Sequence, residues 1–277
     1  MKTIREEKVG KATLRIVDMG ADFAGVILGG ETTVAPIRGE SAEVVWSALQ
    51  QLQRQSMPGF FGFDGAERRF LEIFPAGFAD PEYRRHERDY KLRAREYLLE
   101  ALPLEAAINA TADDCEAAMR AYSKTNLLSS FEQARTRELL RSSNGPAFVR
   151  AAAAIATGES GFGLAEIERI MSPFGQPSWP AATYLSFFWR PEDQMFLKPA
   201  VTVQFAERVG HPFAEVYSPR LDGKTYESLL DLAARTEGQI GQLECADRID
   251  VQSFIWAVGK YDAKDAANIA HERSVSL

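Results

Sequence analysis

The chain has 277 residues, 45% of them hydrophobic and 26% charged, and its formal net charge is −7. That is the balance of a globular protein long enough for one large domain or for a domain with a small companion. The acidic total excludes a global basic field of the kind that draws a protein onto nucleic acid, so any such binding needs a local patch.

The N-terminus, MKTIREEKVGKATLRI, mixes charges and lacks an apolar secretory core. No run approaches the roughly 18 apolar residues of a membrane span, so a cytoplasmic protein with no membrane contact is expected. The stretch KATLRIVDMG alternates apolar and polar residues as a half-buried strand does. DFAGVILGG and TTVAPIRG come next across Gly-containing turns, with Gly29-Gly30 between them, and three short strands predict an antiparallel meander. In SAEVVWSALQQLQRQ, Ser41 is a good N-cap, and Val44, Val45, Ala48, Leu49 and Leu52 recur at helical spacing. Residues 1–58 therefore read as a small β-β-β-α unit.

From residue 59 to 277 the pattern is nearly all helical. DGAERRFLEIF starts at Asp64, and DPEYRRHERDYKLRAREYLLEAL starts at Asp80 with Pro81 in the first helical position. Further helices are predicted over 112–123, 129–142, 145–157, 163–171, 179–188, 199–209, 224–240 and 249–258. The tail after Gly259 is polar and reads as partly loose. The fold class is thus α+β, a small N-terminal antiparallel unit followed by a predominantly α-helical body.

Two segments carry candidate binding residues. Arg84, Arg88, Lys91 and Arg95 lie at i, i+4, i+7 and i+11, on one helical face. Four cations on a stripe could grip phosphates. Against this, Glu87, Asp89 and Glu96 are interleaved, and residues 66–150 hold 14 basic and 14 acidic side chains. Paired charges on a solvated face are the commoner outcome of such a run. Farther on, Trp179, Tyr184, Phe187, Phe188 and Trp189 crowd together, flanked by Arg190 and Lys198. Rings beside cations can stack bases, but rings at this density more often form a helical core. The loop Arg190–Pro199 is kept as a candidate surface.

The stretch RIDVQSFIWAVG places Val251, Phe254, Ile255 and Val258 on one face. Asp247 or Asp250 can cap its start, and Gly259 is placed to end it. The functional alternative makes Asp250 the carboxylate of a DNA-acting enzyme of glycosylase or nuclease type. Metal and cofactor sites are not expected. Cys115 and Cys245 are far apart with no CxxC, and His86, His211 and His271 are the only histidines. Acid–base chemistry would fall to carboxylates. No phosphate-loop, GxSxG or HExxH motif is present.

The runs FGFDGAERRFLEIFPAGFADPEYRRHERDYK, FWRPEDQMFLKPAVTVQFAERVGHPF and RIDVQSFIWAVG resemble a widespread group of uncharacterised bacterial proteins. The C-terminal part, 175–259, also resembles helical modules beside predicted ATPase and restriction-type domains of bacterial defence proteins. The resemblance implies a nucleic-acid or defence setting and brings no catalytic residue with it. The expected function is a nucleic-acid-associated binding module, with DNA or RNA contacted by Arg84, Arg88, Lys91, Arg95, Arg190 and Lys198. The alternatives are the Asp250 enzyme and a protein-interaction subunit whose sheet edge accepts a partner strand.

Overall fold

A computed structural model describes residues 2–9, 12–29 and 35–275. The chain divides into two compact units, Met1–Gly62 with Glu207–His211, and Phe63–Ala206 with Pro212–Leu277.

The first unit is an antiparallel sheet in the order β1-β2-β3-β4, with β1 Lys2–Val9, β2 Ala12–Asp18, β3 Phe23–Leu28 and β4 Ile37–Gly39. Helix α1, Ala42–Gln55, comes after it. Leu14 and Ile16 of β2 meet Val45, Trp46 and Leu49 of α1 in one apolar cluster. Each such side chain taken from water contributes about 1.5–3 kcal/mol. Gly25 sets the spacing: a Cβ there would lie 2.6 Å from Val45 Cγ1 and 2.7 Å from Leu49 Cδ1. Its bare backbone is what lets the helix lie this close to β3.

The meander and its helix are as the alternation predicts, and the sheet gains a fourth strand. β1 pairs with β2 from Lys2↔Asp18 to Val9↔Ala12, although its side chains are almost all exposed. Arg5 covers the Trp46 ring at 3.9 Å, and Arg15 pairs with Glu6. With no buried face, β1 has no apolar alternation to read. The expected Gly29-Gly30 turn and the start of the TTVAPIRG strand fall partly outside the described residues.

The second unit is helical. It contains α2 Gly62–Ile73, α3 Pro81–Tyr83, a π-helical turn Arg84–Arg88, α4 Asp89–Ala101 and α5 Leu104–Ala107. Next come α6 Ala112–Ser123, α7 Ser130–Arg141, α8 Gly145–Ala156, α9 Ser160–Met171 and α10 Trp179–Trp189. The last five are α11 Pro199–Val209, α12 Phe213–Val216, α13 Gly223–Gln239, α14 Arg248–Lys260 and α15 Ala263–Val275. The two units divide α2 after Gly62 and α11 after Ala206.

Helix α10 is apolar all round, and every one of its residues is buried, against α4, α7 and α8 among others. The ring-rich segment is therefore core. Its polar atoms are satisfied inside: Trp189 Nε1 donates to Leu102 O at 2.8 Å, and Tyr184 OH to Ala121 O at 2.7 Å.

Three local expectations are corrected. The loop Arg190–Pro199 is a surface only in part: the side chains of Arg190, Glu192 and Asp193 reach solvent, whereas Met195, Phe196 and Leu197 are buried and Leu197 N donates to Thr183 Oγ1. Gly259 does not end α14, which runs on to Lys260. It is instead a close-approach site, where a Cβ would meet Val201 Cγ1 at 2.8 Å. The tail is helical over Ala263–Val275: α15 forms there, started by Asp262, whose Oδ1 accepts from Lys264 N and Asp265 N, and it buries Ile269. Among the described residues, no helix is long and apolar enough to cross a membrane.

Candidate functional site

The candidate site lies wholly in the helical unit, where the π turn decides the placement of the basic stripe. An extra residue in the turn rotates the next residues by about 100° relative to a continuous α-helix, so the i, i+4, i+7, i+11 face is broken. Arg84 stays exposed, 3.5 Å from Asp89. Arg95 is half-buried, and its Nε has no hydrogen-bond partner among the described residues. Arg88 and Lys91 turn inward onto α14.

Arg88 grips Asp247 with two parallel bonds, Nη1 to Oδ1 at 3.0 Å and Nη2 to Oδ2 at 2.9 Å, and donates to Asp250 Oδ1 at 2.5 Å. Burial opposes its charge, yet the carboxylates of Asp247 and Asp250 outweigh it and hold the guanidinium pKa above its usual value. Asp247 is the N-cap of α14 and accepts from Ile249 N at 2.9 Å. Asp250 is 1% exposed, accepts from the Tyr83 hydroxyl, and also accepts from Ala246 N. Burial and then the Asp250 charge push the Tyr83 pKa well up. Both oxygens of Asp250 are thus committed to bonds within the fold, which is a structural role for this carboxylate.

Lys91 is fully buried, which corrects its reading as a surface phosphate contact. Its Nζ donates to Glu87 Oε2 at 3.0 Å and to Ser253 Oγ at 2.8 Å. Glu87 Oε1 accepts from Tyr261 OH at 2.5 Å. Burial holds the Lys91 pKa below the usual lysine value, against the pull of Glu87. Burial and Glu87 raise the pKa values of Tyr90 and Tyr261.

Glu87, Tyr90, Lys91 and Tyr261 form one wall of a cavity of about 380 Å³. Its rings are Tyr90, Phe196, Trp256 and Tyr261, with His86. Its polar groups include Asn126, Ser129, Lys198 and Gln252. Lys198 donates to Leu127 O at 2.9 Å and lies 3.5 Å from Glu132. Gln252 is 4% exposed, and its Oε1 has no hydrogen-bond partner among the described residues. A buried acceptor in that state costs about 1–3 kcal/mol unless a donor reaches it.

Of the six expected nucleic-acid contacts, the fold brings Lys91 and Lys198 to this cavity. It leaves Arg190 in its own loop, bonded to Glu192 and to Asp193. Sequence reasoning missed Gln252, Trp256, Tyr90 and Tyr261. Only RIDVQSFIWAVG hinted at them, since Gln252 and Trp256 sit within its apolar run.

Cys115 is buried and Cys245 half-buried, and both are free thiols. Burial first, and then the carboxylates of Asp250, Glu237 and Asp247, push the Cys245 thiol up to about 12, so it is a poor nucleophile at neutral pH. The chain matches no protein-family model, no curated protein and no solved structure.

Proposed function

We propose that this is a cytoplasmic, nucleic-acid-associated binding module of bacterial defence or DNA metabolism, and that its helical unit receives an unstacked nucleobase of DNA or RNA in the cavity beside α14. The observation that carries the reading is a ring-walled cavity lined by Lys198 and by Gln252, whose Oε1 is buried without a hydrogen-bond partner among the described residues. Flat rings stack any base, an amide oxygen accepts from a base N–H, and a lysine answers a phosphate. The volume suits a small planar ligand. With a net charge of −7, affinity comes from stacking and hydrogen bonds rather than from a basic field.

The test is titration with nucleoside monophosphates and short single-stranded DNA and RNA, read by intrinsic tryptophan fluorescence. Trp256 is the tryptophan that lines the cavity. Trp256→Ala is expected to weaken binding by about 5- to 150-fold, the worth of one base stack. One lysine predicts a shallow salt dependence, with log K falling by about 0.7 per unit of log salt. An affinity unchanged in Trp256→Ala, or no response with any of these ligands, would sink the reading.

A second reading, catalysis in the same cavity, is favoured by one observation: Lys91, with its lowered pKa, sits in a wall shared with Glu87 and Tyr261. It predicts turnover of a bound nucleotide that disappears in Tyr261→Phe while binding persists.

A further inference from the structure

Glu82, His86 and Glu272 come together where the C-terminal helix α15 meets the turn between α3 and α4. Glu82 and His86 are four residues apart, with His86 inside the π turn. Glu272 arrives from α15, and His86 Nε2 lies 2.9 Å from its Oε2. His86 Nε2 is 3.5 Å from Glu82 Oε2, and the three ligand atoms all lie within 4.8 Å of one another. Donors about 2.0–2.2 Å from a four-coordinate ion are about 3.3–3.6 Å apart, so this set needs only small shifts to close on one.

A second observation points the same way. The Glu82 side chain is 7% exposed, and its Oε2 is buried without a hydrogen-bond partner among the described residues. Arg85 Nε stands 3.1 Å from that oxygen, but its N–H does not make a hydrogen bond with it. Arg85 also pairs with Glu272 through Nη2. The guanidinium thus supplies the positive charge that two carboxylates need. Its side chain is 55% exposed and free to withdraw into solvent.

We infer that Glu82, His86 and Glu272 form a binding site for a divalent first-row cation, Mn²⁺ or Zn²⁺, which displaces Arg85. One imidazole and two carboxylates suit these ions, and three protein ligands leave a coordination position open. The ion fastens α15 to the helix that begins at Pro81. His86 also lines the cavity beside α14. Ion binding here does not depend on what the cavity takes.

The experiment is thermal unfolding of the full chain with Mn²⁺, Zn²⁺ or Mg²⁺ and no other ligand, paired with calorimetric titration. At hundredfold excess over Kd, the expected rise in Tm is about 5–10 °C. Glu272→Gln, at a side chain 41% exposed and so compatible with folding, is expected to lose at least tenfold in affinity, as is His86→Ala. Arg85→Ala is expected to bind the ion more tightly than the parent chain. Three results would overturn the assignment: no rise with any ion in the parent chain, an equal rise in Glu272→Gln and His86→Ala, or weaker binding in Arg85→Ala.

Discussion

Asp250 shows how much one side chain's meaning depends on what the fold puts beside it. Read along the chain, it is an aspartate in the first turn of an apolar helix, where capping is the favoured reading and acid catalysis the alternative. In three dimensions Asp247 is the cap, and Asp250 joins Arg88, Tyr83 and Ala246 N in a buried cluster. A cap alone is worth about 1 kcal/mol. Removing one partner of a buried, hydrogen-bonded charge pair costs about 3–5 kcal/mol; here Arg88 keeps Asp247, but the Tyr83 hydroxyl and Ala246 N also lose their acceptor. Asp250→Ala is therefore expected to lower unfolding free energy by about 3–5 kcal/mol, seen as a fall in urea midpoint at unchanged slope. A loss near 1 kcal/mol would mean that the Arg88 contact contributes nothing. The cations Arg88 and Lys91 teach the same lesson. Their spacing was legible, but their depth was not, because the π turn rotates them from the expected outward stripe onto α14.

Among the elements, the helices were the most legible part. Boundaries at 112–123, 145–157 and 199–209 fall within about a residue of α6, α8 and α11, since caps and apolar spacing are local signals. Helix α7 is fixed at its start by a capping box, with Ser129 Oγ accepting from Glu132 N and Glu132 Oε2 accepting from Ser129 N. Burial raises the Glu132 pKa, but the Ser129 and Ser178 bonds and Lys198 outweigh it and hold the carboxyl below 4.5. Its contribution is therefore present above about pH 4.5 and is lost as pH falls through the lower folded value. Glu132→Gln is expected to cost about 1–2 kcal/mol at pH 7, with the gap between the two proteins closing on acidification. A gap that does not change from pH 7 to pH 3 would contradict this. Of the elements that sequence patterning missed, α5 and α12 are single turns, while β1 and α15 bury little, with Ile269 a buried hydrophobic residue of α15. An element without a buried face leaves no hydrophobic period to detect.

For the molecule as a whole, the buried phenols and thiol set an alkaline limit. Cys245 and Tyr226 are both pushed up to about 12, from ordinary values of 9.0 and 10.0, first by burial. Burial also raises Tyr83 and Tyr122 well above 10.0. In the window from about pH 9 to pH 12 the folded chain keeps protons that the unfolded chain releases, so stability falls as pH rises. Lys91, with its lowered pKa, acts the other way, one group against several. Urea midpoints of the helical unit are expected to hold steady to about pH 9 and to decline between about pH 9 and 12. A midpoint that rises across that window would show that the lysine dominates.

The amino-acid sequence by itself determined the α+β class, the antiparallel opening with its helix, most helix boundaries and the ring-rich core. Each of these rests on signals within a few residues: alternation, 3.6-residue spacing, caps and turn residues. Only the tertiary structure brought the candidate sites together. The cavity joins Tyr90, Phe196, Gln252 and Tyr261 from segments far apart in the chain, and the Glu82–His86–Glu272 cluster spans 190 residues. No local period records which distant side chains share a surface, since that is set by how the helices pack. The π turn added a rotation that spacing alone does not encode.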